Sequence, residues 1–265
     1  MLQLTYLDNN SWCIDFGNSR ILLDPWLVDD LVFANLAWLF KGIRRVPKPI
    51  PDKVDIILLS QGLEDHAHPQ TLKKLDRKIP VVGSPNAAKV VQNLHYDRVT
   101  SLKHGECFTL NHHIEIIAVP GSPIGPFLVE NGYILRDNTT GMSLYYEPHG
   151  YHSPKLKDFA PIDVIITPII NISLPFLGCI IQGRDTAIEV ARSLKPQVML
   201  PTAAGGDVDF HGLLTSLLRS RGSLEEFKPL LEKYNLETRI IDPQPGERYK
   251  IPLQPRTVSW SAFPR

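Results

Sequence analysis

The residues with the greatest capacity for chemistry lie together at positions 60–68, where the chain reads SQGLEDHAH. Carboxylate and imidazole side chains bind metals and transfer protons near neutral pH. The apolar run 56–59 predicts a buried strand, and Pro69 predicts a helix that begins directly after the polar residues. A loop held between two rigid elements is a common place for a functional site. The candidates for acid–base catalysis are Asp65, Glu64 and His68, and Glu147 is a further carboxylate that could serve. The candidates for metal binding begin with Asp65 and His66.

Residues 60–66, SQGLEDH, resemble the signature of the metallo-β-lactamase superfamily. In that family a strand is followed by Thr-His-x-His-x-Asp-His and then by a helix. The first two histidines bind one zinc ion, and the Asp-His pair binds a second. Gln61 and Leu63 stand where the first two histidines belong, while Asp65 and His66 match the pair. The resemblance therefore implies that the first metal site is lost and that Asp65 and His66 remain as ligands. The sequence of residues 60–66 is also similar to that of a divergent subgroup associated with oxygenic phototrophs.

Two further blocks resemble the family. Residues 21–27, ILLDPWL, match Ile-Leu-Ile-Asp-Pro-Trp-Leu, which implies that Asp24 lies beneath the site and supports its loops through hydrogen bonds. Residues 145–150, YYEPHG, resemble Tyr-Tyr-x-Gly-Asp-Thr, whose aspartate bridges two metals. The ungapped alignment places His149 at that aspartate, and a slip of one residue places Pro148 there.

The other two histidine ligands of the family have no counterpart, because the third falls near Ser122 and the last falls at Ala203. The resemblance thus implies at most one metal, bound by Asp65, His66 and His149. Three protein ligands with an open position are typical of catalytic mononuclear sites, and this donor set suits one divalent ion of Zn, Fe or Mn. The alternative is that Asp65 and His66 hydrogen-bond to each other and to the loop backbone, and that no metal binds.

Strands and helices alternate between residues 56 and 102, and hairpins follow, which indicates an α/β sandwich. The family blocks occur in order from Leu2 to about Gly206. The resemblance therefore implies a four-layer αββα sandwich of the metallo-β-lactamase type, formed by residues 1–265 as one domain. The aspartates and histidines named above are then expected at one edge of the sandwich.

Residues 28–51 interrupt the family pattern as an apparent apolar insertion, densest from Phe33 to Phe40. Four basic residues follow this dense part: Lys41, Arg44, Arg45 and Lys48. One interpretation is a helix that forms a lid beside the site or makes weak membrane contact, with its basic residues facing lipid headgroups. The other is a helix that caps the core and has a solvated basic tail. A second apolar stretch, 176–181, is expected to be either a wall of a substrate pocket or part of the core.

The composition argues against several classes of protein. Lysine plus arginine and aspartate plus glutamate number 28 each, so the formal net charge is zero and nothing favours a nucleic-acid-binding surface. Cys13, Cys107 and Cys179 lack CxxC spacing, which favours three reduced thiols in the core. The chain has no leader-like start and no apolar run of about 18 residues, so the cytoplasm is the expected location.

Two functions from different classes are consistent with these patterns. One is a metal-dependent hydrolase with a reduced, mononuclear site and an unknown small-molecule substrate. The other is a non-catalytic protein, derived from such a hydrolase, that binds a small molecule or another protein. The sequence contains no Gly-x-Ser-x-Gly motif and no phosphate-binding glycine-rich loop that would point elsewhere. The distance between His149 and His66 is the feature that separates the two.

Overall fold

The computed structural model describes residues 1–125, 127–175, 177–203 and 205–256. In chain order, the strands of these residues are β1 (Leu2–Tyr6), β2 (Trp12–Phe16), β3 (Ser19–Leu23), β4 (Leu31–Val32), β5 (Lys41–Arg44), β6 (Ile56–Leu59), β7 (Val81–Gly83), β8 (Val99–Ser101), β9 (Cys107–Leu110), β10 (Ile114–Ile124), β11 (Leu128–Asp137), β12 (Ser143–Tyr146), β13 (Val164–Ile166), β14 (Asn171–Leu174), β15 (Gly178–Ile181), β16 (Val198–Leu200), β17 (Val208–His211), β18 (Arg219–Arg221), β19 (Arg239–Ile240) and β20 (Arg248–Lys250). The α-helices are α1 (Pro69–Lys74), α2 (Pro85–Asn93), α3 (Arg184–Leu194), α4 (Leu213–Leu217) and α5 (Leu224–Lys233).

Two seven-stranded sheets form the centre of the fold. The strand order is β20-β1-β2-β3-β6-β7-β8 in the first sheet and β19-β16-β13-β12-β11-β10-β9 in the second. Part of each sheet is antiparallel, and β3-β6-β7-β8 and β12-β13-β16-β19 are parallel. Helices α1, α2 and α3 supply crossovers between parallel neighbours, because such strands cannot be joined by a tight turn.

Alternation along the strands separates the inner core from the outer layers, since successive side chains point to opposite faces of a sheet. Ile56 and Leu58 of β6 pack in the core shared by the two sheets. Ile57 and Leu59 of the same strand pack instead with residues of α1 and α2. Helices α3 and α5 cover the outer face of the second sheet in the same way. The order of layers is helix, sheet, sheet, helix, and it confirms the predicted αββα sandwich.

The insertion is not the helix that its apolar density predicts. Strands β4 and β5 join β17 in a small sheet of order β17-β5-β4, and Phe33–Asn35 forms a single 3₁₀ turn. Gly42 permits the close packing of β5, because a Cβ atom there would lie 2.8 Å from the Trp26 ring. Strand β17 lies far along the chain, so a local pattern of apolar residues could not indicate this pairing.

The basic side chains of the insertion pair with acidic residues. Arg44 Nη1 lies 2.5 Å from Asp8 Oδ2, and its guanidinium lies 4.6 Å from the centroid of the Trp26 ring. Lys48 Nζ lies 2.6 Å from Asp207 Oδ2. The other two pairs are Lys41 with Asp30 and Arg45 with Asp209. Arg44 and Lys48 are buried in their pairs and so do not form the predicted solvated tail, whereas Arg45 is exposed as that interpretation expects.

The prediction of three core thiols is correct for Cys13 alone, because Cys179 is half-buried and Cys107 is exposed. Cys107 begins β9, which is the edge strand of the second sheet. Within the described ranges, no helix combines the length and apolar character needed to cross a membrane.

Candidate metal centre

Asp24 anchors the loops of the site, as the sequence predicts. It follows β3, is fully buried, and adopts a positive φ of 41°. Its Oδ1 accepts a hydrogen bond from the Ser60 backbone N–H at 2.7 Å. Its Oδ2 accepts from Ser60 Oγ at 2.5 Å and from the Tyr146 hydroxyl at 2.7 Å, and lies 2.8 Å from His66 Nδ1. One carboxylate thus joins the ends of three strands and orients the imidazole.

His66 is held between two carboxylates. Its Nδ1 donates to Asp24, and its Nε2 lies 3.2 Å from Asp65 Oδ2. Burial disfavours the charged imidazole, but Asp65 and Asp24 outweigh burial and raise the pKa of His66 to about 10. Without a metal, His66 is therefore an imidazolium that bridges two carboxylates. A metal ion that used Nε2 would have to displace the proton.

His149 lies on the loop after β12, where Glu147 fixes the backbone. Glu147 Oε2 accepts from the backbone N–H groups of His149 at 3.1 Å and Tyr151 at 2.8 Å. Nδ1 of His149 lies 3.0 Å from both Gln61 Nε2 and Ser122 Oγ. Burial and the charge of His66 lower the pKa of His149 to about 3, so its imidazole is neutral, as metal binding requires.

The structure brings the three predicted metal ligands together. Asp65, His66 and His149 each offer a ligand atom, and these atoms all lie within 4.8 Å of one another. Burial alone would raise the pKa of Asp65, but His66 outweighs burial and lowers it, so the carboxylate is ionised. The convergence at one edge of the sandwich confirms the expected placement of these side chains.

The donor set fits a divalent cation. Among the described residues, the buried side-chain oxygens without a hydrogen-bond partner include Asp65 Oδ1, Asn10 Oδ1 and Gln61 Oε1 around the cluster, and Glu147 Oε1 nearby. The Asn10 amide lies beside His66, and the Gln61 amide lies beside His149. Buried acceptors are nearly always satisfied, so a cation with its bound water is a natural partner for these oxygens. The Asp24–His66 contact is also the kind of outer hydrogen bond that orients metal-binding histidines.

Glu64 and His68, the other two candidates for acid–base catalysis, contact the insertion. Glu64 Oε1 accepts from the Ala34 backbone N–H at 3.0 Å. His68 caps α1, since its Nδ1 accepts from the Thr71 N–H, and its Nε2 lies 3.3 Å from the Asp30 carbonyl. Burial lowers the pKa of His68 to about 4. Of the three candidates, Asp65 is the one in the metal-binding cluster.

The positions that the resemblance assigns to lost ligands line a single pocket of about 800 Å³. Gln61, Leu63, Ser122 and Ala203 lie in its wall together with Asp65 and His149. The alignment of these blocks is therefore consistent with the geometry, including the ungapped alignment that selects His149. Where the resemblance expects the ligands of the first metal site, the pocket wall carries Gln61, Leu63 and Ser122.

Most of the pocket wall is apolar and comes from four segments. The insertion supplies Leu31, Phe33 and Phe40, so it lies beside the mouth of the pocket as predicted for a lid. The hairpin β14–β15 supplies a second wall, so Leu177 and 179–181 line the pocket; Phe176 lies outside the described residues. The other contributors are Ile124 and Gly125 of the β10–β11 hairpin and Phe210, Leu214 and Leu218 near α4.

Asn10, Tyr146 and Glu147 also belong to the site, and of these the sequence analysis named only Glu147, as an acid–base candidate. The Asn10 carbonyl accepts from the Tyr146 hydroxyl at 3.2 Å, beside the Tyr146–Asp24 hydrogen bond. Glu147 is fully buried, and burial raises its pKa to about 8 despite its backbone donors. The sequence did contain one signal for the latter two, because they end a buried strand just before His149.

Comparison with solved structures shows similarity across the fold. An isothiocyanate hydrolase from Delia radicum gut bacteria is 15% identical, with a TM-score of 0.68 over 94% of this chain and 98% of its own. The metallo hydrolase Igni18 from Ignicoccus hospitalis is also 15% identical, with a TM-score of 0.63 over 95% and 99%. CmlA, a diiron β-hydroxylase from Streptomyces venezuelae, is 15% identical, with a TM-score of 0.66 over 94% of this chain and 53% of its own.

A comparison with curated proteins finds no match. The family model described as "Beta-lactamase superfamily domain" matches residues 3–203. This range holds Asp24, the loop after β6, His149 and Ala203, and it covers most of the chain. The chain therefore belongs to the metallo-β-lactamase superfamily.

Proposed function

We propose that this protein is a metal-dependent hydrolase with a mononuclear site formed by Asp65, His66 and His149. The observation that carries the proposal is the convergence of these three side chains beside an apolar pocket that Asp65 and His149 line, with unpartnered buried oxygens around them. The solved hydrolases of similar fold support the reaction class by analogy. The pocket wall favours a substrate with a substantial apolar part.

The residues have separate roles in this proposal. His66 and His149 hold the ion as neutral imidazoles, and Asp24 fixes the ring of His66. A bound Zn, Fe or Mn ion supplies Lewis acidity and a hydroxide nucleophile at neutral pH. Asp65 is favoured over Glu64 and His68 as the acid–base group, because the latter two already contact Ala34, Thr71 and Asp30.

Calorimetric titration of Zn²⁺ and Mn²⁺ into chelator-treated protein tests the metal site. We expect one ion to bind the native protein, and Asp65→Asn and His149→Ala to weaken binding by at least about tenfold, since loss of even an outer contact costs about 10–100-fold. His113→Ala is the matched control. His113 directly precedes β10, whereas Ser122 of the site lies near the other end of that strand. Absence of binding by the native protein, or equal binding by all four proteins, would reject the site.

A non-catalytic binding protein is the second candidate, and the protonation of His66 favours it. An imidazolium between Asp24 and Asp65 donates a hydrogen bond to each carboxylate without any metal. In that case the native protein binds no ion, and ester substrates with short and long acyl chains are not hydrolysed when metal is added. Metal-dependent hydrolysis that Asp65→Asn abolishes would exclude this candidate.

A further inference from the structure

Large apolar side chains are exposed on separate segments around the mouth of the pocket. Phe127 is 97% exposed next to the tip of the β10–β11 hairpin, and Leu177 is 74% exposed at the tip of the β14–β15 hairpin. Trp38 of the insertion is 66% exposed, and Leu213 and Leu217 of α4 are also exposed. We call these five residues the apolar rim. Such a concentration of exposed apolar surface usually marks an interaction site.

The members of the rim lie around one opening. Gly125, two residues before Phe127, lines the same pocket as Leu177. On the other side, the Trp38 carbonyl accepts from the Leu213 N–H at 3.0 Å, which joins the insertion to α4. Phe40 and Leu214, their close neighbours in sequence, line the pocket as well. Whatever covers the rim therefore also faces the entrance to the pocket.

The charged residues of strand β18, beside the two hairpin tips, are basic. The two hairpin tips, residues 121–129 and 170–183, contain no charged residue. Strand β18 pairs with β14 beside them and exposes Arg219 and Arg221. Asp209, the acidic residue between 208 and 222, already pairs with Arg45. Uncharged apolar tips flanked by arginines complement a surface that has an apolar interior and anionic headgroups.

We propose that the apolar rim docks on an anionic lipid bilayer, so that the pocket opens toward the acyl chains. Exposed apolar side chains insert at the boundary between headgroups and acyl chains, and nearby basic side chains add attraction to anionic lipids. Tryptophan is enriched at the level of the headgroups, and exposed arginines attract anionic lipids. This surface extends the sequence-based expectation for Phe33–Phe40 to two hairpins and α4, and it does not depend on a bound metal.

Vesicle co-sedimentation of the full chain at low salt, with a chelator present, tests this proposal. The vesicles contain phosphatidylcholine, either alone or mixed with phosphatidylglycerol. We expect binding to the mixed vesicles, at least tenfold weaker binding by Phe127→Ser/Leu177→Ser, and about fivefold weaker binding for each of Arg219→Gln and Arg221→Gln. Tyr234→Ser is the matched control, because Tyr234 is an exposed aromatic residue directly after α5, on the outer layer.

The variants are expected to fold, because each change lies on an exposed side chain, and circular dichroism checks this. The proposal is overturned if the native chain binds neither vesicle, if Phe127→Ser/Leu177→Ser binds as well as the native chain, or if phosphatidylcholine alone binds equally. Sedimentation equilibrium tests whether a second copy of the chain covers the rim instead. If the native chain is a dimer that binds no vesicles, and Phe127→Ser/Leu177→Ser is a monomer, the rim is a dimer interface. Because the chelator removes metal, failure here leaves the proposed hydrolase site unaffected.

Discussion

At the scale of single residues, the same contacts that prepare His66 for a metal also stabilise its protonated form without one. Asp24 orients the ring, and Asp65 lies beside Nε2. In that position the Asp65 carboxylate stabilises a proton on Nε2, and it could equally bind a metal ion together with Nε2. A metal must therefore compete with a proton whose pKa is about 10. Metal binding is expected to be weaker than in a site with four protein ligands, and stronger as the pH rises.

Ala203→His is predicted to tighten Zn²⁺ binding by at least about tenfold, because it supplies a fourth ligand in the pocket wall. Ala203 has a positive φ of 62°, a conformation in which histidine is several-fold enriched over most residues, so the backbone accepts the change. Calorimetric titration with Zn²⁺ measures the gain.

Ala203→Asn serves as the control, since asparagine also tolerates this backbone conformation but is a poor zinc ligand. Equal affinities of the native protein, Ala203→His and Ala203→Asn would show that position 203 does not reach the ion. Tighter binding by both variants would assign the effect to the backbone instead.

The sequence identified Asp24, Asp65, His66 and His149, because each lies in a short block whose order the fold preserves. It did not identify Asn10 or Tyr146, whose roles arise from contacts between distant parts of the chain. A tyrosine on a buried strand has the same local pattern whether its hydroxyl supports a site or fills a core. The protonation state of His66 could not be predicted from the sequence either, since its pKa depends on burial and on two nearby carboxylates.

At the scale of elements, the insertion shows where local patterns fail. Its apolar residues occur at a density typical of a buried helix, but the segment pairs with β17 and covers Trp26. The buried Arg44–Asp8 pair holds this small sheet against the loop after β1. The acidic partners of Arg44, Lys48 and Arg45 lie far from the insertion in sequence, so local patterns could not indicate these pairs.

Arg44→Met is predicted to lower the free energy of unfolding by about 3–5 kcal/mol, because it leaves the Asp8 carboxylate buried without its partner. Urea unfolding of the metal-free protein measures the loss. Lys41→Met is the matched control, since the Lys41–Asp30 pair is solvent-exposed and such pairs contribute about 0–1 kcal/mol.

The double variant Arg44→Met/Asp8→Asn should recover part of that loss, because no buried charge then remains. Asparagine also tolerates the positive φ of 76° at position 8 and can still accept from the Asp207 N–H. A double variant less stable than Arg44→Met would contradict the assignment of the loss to the unpaired carboxylate.

At the scale of the whole molecule, the sandwich collects ionisable groups in its interior at one edge. His68, with a pKa of about 4, and His149 and His152, each with a pKa of about 3, are kept neutral by burial. In the unfolded chain a histidine takes up a proton near its ordinary pKa of 6.5. Their contribution to stability is therefore present above pH 6.5 and is lost as the pH falls, by about 1.4 kcal/mol per pH unit for each histidine.

Two other groups act in the opposite direction. The pKa of His66 is raised to about 10 from 6.5, and that of Glu147 to about 8 from 4.5. The folded protein holds these protons after the unfolded chain has released them. Their stabilising effect is complete below the ordinary pKa of each group and is lost as the pH rises toward the raised value.

The metal-free protein is therefore predicted to be most stable near pH 6.5. Between pH 6.5 and 4.5, the three histidines outweigh Glu147, and the net loss is about 3 kcal/mol per pH unit. Between pH 6.5 and 8, His66 and Glu147 together give a loss of similar slope.

Urea unfolding of chelator-treated protein from pH 4.5 to 8 measures both slopes. His152→Gln should reduce the acid slope by about 1.4 kcal/mol per pH unit, and Glu147→Gln should reduce the alkaline slope equally. A stability that is flat across this range, or variants that leave both slopes unchanged, would contradict the protonation states assigned to the buried groups.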